Sequence, residues 1–144
     1  MKPRRLARVA ALQTLYEVDI TEHEWQSAFA ARMAEEPLSK AAEEFARELV
    51  ESVVVFRGPF DELIARIAPE WPPDQIAVID RNILRMGIYE VLYSTSTPLK
   101  VAINESVELA KLFGSDNSTR FINGALGTLA ADRNTYIQSM NRHK

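Results

Sequence analysis

Between the proline pair Pro72-Pro73 and the dipeptide Thr97-Pro98 lies a segment whose apolar residues cover most of a helix's circumference. Ile76, Ile79, Ile83, Leu84, Gly87, Ile88, Val91 and Leu92 recur at helical spacing. A helix apolar nearly all round has to be enclosed by other helices, and the rest of the chain offers them. Strand signals are nearly absent: there is no sustained period-two alternation and no Asn-Gly hairpin between apolar runs. The periodicity predicts helices at about 4–19, 24–35, 38–57, 60–68, 75–94, 99–113 and 117–132. That is an all-α fold of about seven helices in two small packed bundles.

Several boundaries carry physical markers. Gly58-Pro59 is expected to break the third helix, since proline lacks a donor and disfavours helix in its predecessor. Pro72-Pro73 does the same ahead of Asp74, which can cap the next helix. Thr97 supplies a capping hydroxyl before a proline at the first helical position. Gly114 ends that helix, and Ser115 or Asp116 can start the next. The break from Pro69 to Pro73 divides a single domain over 1–144 into helical halves of about 1–69 and 74–144. In the last helix Gly124, Gly127 and Ala131 form a small-residue stripe, expected to admit close approach of a neighbour.

A chain of 144 residues, 47% hydrophobic and 26% charged, is globular and long enough to bury a substantial core. It has no cysteine, so disulfides, thiolate metal sites and a cysteine nucleophile are excluded. The basic start has no apolar segment behind it, as a secretory signal would, and the apolar run Val53 to Phe56 is far too short to span a bilayer. A cytoplasmic protein with no membrane partner is expected. The net charge of −3 hides an asymmetry. Lys2, Arg4, Arg5 and Arg8 crowd the first eight residues without an acid, leaving 13 basic and 20 acidic side chains on the remainder. A basic arm on an acidic body attracts a polyanion while the body resists non-specific sticking. On a helix Arg4, Arg5 and Arg8 fall within an arc of about 100°, with Leu12, Leu15 and Tyr16 continuing it. Arginine suits phosphate because its planar fork stays charged and donates two parallel bonds. A basic terminus is about as often a plain solvated end.

Arg120-Phe121 opens the last helix beside the small polar run Ser115 to Thr119. A helix N-terminus offers free backbone donors and a positive dipole end to a phosphate. Phe121 can present a face to an unstacked base, although a helical phenylalanine is more often core. Asp80, Arg81, Arg85, Glu90, Asn104, Glu105 and Glu108 resemble the parts of acid–base chemistry, but salt bridging between the 75–94 and 99–113 helices is the simpler account. His23 and His143 lie near opposite ends with no helical spacing to a second ligand, and no Gly-rich phosphate loop precedes a helix. No catalytic residue, metal ligand or cofactor is assigned.

The chain resembles one family over both ends and most of its second half. The residues that carry the likeness are Arg4-Arg5-Leu6-Ala7-Arg8 through Ala11-Leu12-Gln13-Thr14-Leu15-Tyr16, the run Ile79 to Glu90, Lys100 to Glu105, and Phe121 to Gly124. In order and type they resemble the NusB family of bacterial transcription antitermination factors; residues 20–75 agree only in being helical. The resemblance implies binding of boxA-type RNA through Arg4, Arg5, Arg8, Tyr16, Arg120 and Phe121, with Lys2 and Ser118 as weaker additions. It also implies a partner, the ribosomal small-subunit protein NusE, facing Tyr16 and Asp80, and indirect contact with RNA polymerase and other Nus factors. Many relatives have an acid where this chain has Asn117, and losing a carboxylate there should ease phosphate approach. Two other readings stay open: a helical protein-interaction domain that binds no RNA, and an accessory domain of an RNA-modifying system. Self-association that covers the arm, as a homodimer, is compatible with the sequence.

Overall fold

A computed structural model describes residues 1–141, and among them every regular element is helical. The helices are α1 (Pro3–Thr21), α2 (Trp25–Glu35), α3 (Lys40–Val55), α4 (Arg57–Ile67), α5 (Val78–Tyr93), α6 (Leu99–Phe113), α7 (Ser118–Ala131) and α8 (Arg133–Asn141), with a 3-10 turn at Pro73–Gln75. They form two compact units that divide between Val55 and Phe56. The expected division at Pro69 to Pro73 is therefore displaced: α4 packs on α5 and α7, so its partners lie in the second unit.

In the first unit α1 packs on α2 and α3. Pro3 opens α1, where a missing N–H costs nothing. Its buried face is Ala7, Ala10, Ala11, Leu12 and Leu15, with Ala42, Ala46, Leu49, Val50 and Val53 buried on α3 and Phe29 on α2. The alanines let the helix backbones approach closely, and the larger side chains fill the remaining space. Arg32 of α2 donates to Gln13 of α1 at 3.1 Å.

The second unit is built around α5, which is buried from Asn82 to Ile88 and again from Glu90 to Leu92, as its all-round apolar pattern demands. Helices α4, α6, α7 and α8 pack against it. Gly87 marks the tightest approach: a Cβ there would lie 2.7 Å from Leu126 Cδ1 on α7 and 2.9 Å from Ser106 Oγ on α6. The expected stripe of Gly124 and Gly127 serves no such purpose. Both are exposed, and a Cβ at either meets nothing within 4 Å.

Charge inside the second unit is paired across helices. Arg85, 3% exposed, donates from Nε and Nη2 to the two carboxylate oxygens of Asp61 on α4, both at 2.8 Å. This bidentate pair ties α5 to α4. Arg133 donates to the carbonyls of Val91 at 2.7 Å and Leu92 at 3.1 Å, answering orphan acceptors at the end of α5.

Three helix ends differ from expectation. The third helix stops at Val55, and Pro59 lies in the first turn of α4, where its missing N–H would have had no helical partner. Asp74 belongs to the 3-10 turn, and Ala77 holds the N-cap position of α5 without a side-chain cap. Pro98 itself holds the N-cap position of α6, its carbonyl accepting from Ala102 N–H at 3.0 Å, so Thr97 is not the cap.

Candidate nucleic-acid interface

In the first unit the basic arm is organised by an aromatic ring. Arg4 Cζ lies 4.4 Å and Arg8 Cζ 5.1 Å from the centroid of Phe45 on α3. A guanidinium over a ring face is held by the ring quadrupole, worth roughly 0.5–2 kcal/mol depending on solvation. The two arginines do not share one environment. Arg4 and Lys2 are exposed and Arg5 is half-buried, while Arg8 is 3% exposed. Arg8 is thus removed from the surface that could touch a phosphate, because its position on α1 turns it onto α3. It positions the arm through Phe45. Farther along α1, Tyr16 stands 40% exposed, with Leu6 and Ile20 also exposed. These are the aromatic and apolar faces that the arm offers a partner.

In the second unit the corner between α6 and α7 folds back on itself. Gly114 N–H donates to Ala110 O at 2.8 Å, and a Cβ on Gly114 would lie 2.5 Å from Ser118 Oγ, so glycine is required by that close approach. Ser118 Oγ accepts from Ser115 N–H at 2.9 Å and donates to Asp80 Oδ2 of α5 at 3.0 Å. Ser118 is 1% exposed and its hydroxyl is committed, so it fixes the corner and does not face a ligand. Asp80 is 9% exposed and reaches the outside only through the cleft that it lines, so it offers little surface to a protein partner. Burial pushes its carboxyl pKa up, and the Ser118 bond opposes this in part.

What the corner does present is Asn117, Arg120 and Phe121. Asn117 is exposed at the N-cap position with no side-chain cap bond, so its amide faces outward. Arg120 is exposed one turn later. Phe121 is half-buried and packs edge-on against Trp71, ring centroids 5.5 Å apart at 64°. Clefts of about 230 and 460 Å³ flank this aromatic pair and share Trp71, Asn117 and Phe121 as their common wall.

Phe45 and Trp71 are absent from the sequence-based assignment. Nothing in the run Ala41-Ala42-Glu43-Glu44-Phe45 distinguishes Phe45 from an ordinary core aromatic. Trp71 did carry a signal: a tryptophan set between Pro69 and Pro72 is a large aromatic in a segment that cannot be helical. Among the described residues no group of three or more His, Cys, Asp or Glu side chains could hold a metal ion, and no helix is long and apolar enough to cross a membrane. His23 pairs with Glu17 at 3.0 Å, and His143 lies outside the described residues.

The chain is similar to known proteins in sequence and in fold. A model of the NusB family matches residues 5–131. The chain is 45% identical over 128 residues to the transcription antitermination protein NusB of Chloroflexus aggregans, covering 88% of this chain and 85% of that one. The solved structure of T. maritima NusB superposes with a TM-score of 0.84 at 31% identity, covering 91% of this chain and 92% of that one. A crystal structure of antitermination factors NusB and NusE in complex with dsRNA contains a chain matching at TM-score 0.81 and 26% identity, over 91% and 98% of the two chains.

Proposed function

The chain belongs to the NusB family, and from that premise we propose that it is a transcription antitermination factor that binds boxA-type single-stranded RNA together with NusE and helps assemble an antitermination complex on RNA polymerase. It acts in the bacterial cytoplasm by binding, not by catalysis. Lys2, Arg4, Arg5 and Arg120 contact phosphates, Tyr16 and Phe121 offer ring faces, and the Asn117 amide adds a hydrogen bond. Arg8 and Ser118 hold these groups in place. Tyr16 also serves the NusE side of the assembly.

The observation that carries the reading is an exposed arginine close to aromatic surface in each unit: Arg4 over the Phe45 ring in the first, and Arg120 on the rim of the cleft walled by Phe121 and Trp71 in the second. Single-stranded RNA is gripped in this way, by charge on its backbone and stacking on its bases.

Fluorescence anisotropy with a short boxA-type RNA, with and without NusE and at two salt concentrations, tests the proposal. Tighter binding with NusE, lost when Arg4 and Arg5 become alanine, is expected. No binding under either condition would overturn it and favour a helical domain that binds only proteins.

A further inference from the structure

We infer that the corner between Trp71 and Phe121 is a nucleobase subsite: one unpaired base enters the smaller cleft and presents an N–H edge to Asp80, while Arg120 holds the adjoining phosphate. The inference rests on the RNA-binding reading above and adds to it a place, a second aromatic and a base preference.

The smaller cleft has the parts a base requires. Trp71 and Phe121 supply aromatic wall, Ile76 and Ala77 apolar wall, and Gln75 and Asn117 polar rim. Trp71 is 45% exposed yet held in place: its backbone N–H donates to Ala68 O at 3.1 Å, closing a turn, and its ring abuts Phe121. A large flat side chain that is both fixed and half in water is a stacking platform already ordered before binding.

Asp80 gives the cleft its chemistry. The side chain is nine-tenths buried and lines the cleft, Oδ2 takes the Ser118 hydroxyl, and Oδ1 has no hydrogen-bond partner. A buried acceptor left open invites a donor from outside. Because Oδ1 is itself covered, a base edge meets it after a small turn of the carboxyl. Cytosine, adenine and guanine offer exocyclic amino groups. Uracil offers a single N–H flanked by two carbonyls that a carboxylate repels, so amino-bearing bases are preferred.

The larger cleft suits the backbone. Arg120 stands on its rim and exposed Gly124 leaves its wall open, while Glu70 on the same rim keeps a phosphate to the arginine side. An acidic peptide could use Arg120 but would gain nothing from Asp80. An unstacked nucleotide uses both.

The chain has two tryptophans, Trp25 and Trp71, so a Trp25→Phe variant makes Trp71 the sole tryptophan reporter. Its emission is followed while a boxA-type single strand is added, with anisotropy of the labelled RNA recorded in parallel. Abasic substitutions are then scanned along the strand. We expect quenching that saturates with binding and disappears at one abasic position, and a roughly tenfold loss of affinity for Trp71→Ala. At that position cytosine or adenine should outbind uracil, and Asp80→Asn should remove the preference. Full anisotropy binding with unchanged Trp71 emission, or equal quenching by a duplex of the same sequence, overturns the inference and leaves RNA binding standing. No anisotropy change, with or without NusE, overturns both.

Discussion

At Asp80 two influences act on one carboxyl in opposite directions. Desolvation raises its pKa above the ordinary 3.8 and outweighs the lowering effect of the Ser118 hydrogen bond. The folded protein therefore keeps this proton to higher pH than the unfolded chain does. Below 3.8 both states are protonated and nothing is lost. As pH climbs through that value toward the raised one, the unfolded state ionises first and stability falls. The Asp80→Asn variant keeps an oxygen to accept from Ser118 but has no charge to bury. Its urea midpoint should match that of the natural chain at about pH 3 and exceed it at ~pH 7, the gap opening in between. A constant gap across the range would mean that ionisation of Asp80 costs the fold nothing. Retention of an acid that costs stability is what a functional contact at Oδ1 would explain.

At the scale of elements, the glycines separate packing from plain exposure. Gly87 on α5 faces Leu126 and Ser106 within 3 Å of a would-be Cβ, whereas Gly124 and Gly127 on α7 face open space. Gly87→Ala should cost about 1–3 kcal/mol by overpacking. Gly124→Ala and Gly127→Ala should each add roughly 0.5–1 kcal/mol, because alanine loses less backbone entropy in a helix. Thermal melts of the three variants check the signs. Sequence pattern alone gave the opposite assignment to α7, and the reason is physical. Spacing shows which residues share a face, but not whether that face meets a neighbour. Where the pattern left no choice, as in α5, apolar on every side, the reading held. Arg120 and Phe121 were legible as a pair because a helix start has a local signature. Arg8 was not, since only α3 decides that its guanidinium turns inward onto Phe45. Helix α8 escaped notice for the same reason: Arg133 ties it to carbonyls of α5 more than forty residues away.

For the molecule as a whole, the distribution of charge governs binding more than its total. Four cations near the start precede a remainder with seven more acids than bases, so a polyanion is drawn to the arm more strongly than to the rest of the chain. With Lys2, Arg4 and Arg5 of the first unit each neutralising one phosphate of a single strand, the arm alone should make log affinity fall with log salt at a slope of about −2. The Arg4→Ala, Arg5→Ala double variant should fall at only about a third of that slope. Asn117→Asp tests the field at the other patch from the opposite direction. A carboxylate at the N-cap position complements the positive end of α7, so the fold should be slightly more stable. The same charge stands beside Arg120 and repels phosphate, so affinity for RNA should drop about two- to fivefold at low salt and recover as salt screens it. Stability and binding thus move in opposite directions in one variant, which a simple unfolding defect cannot imitate. Equal binding at low salt would show that phosphate does not pass Asn117, and would move the RNA path off the start of α7.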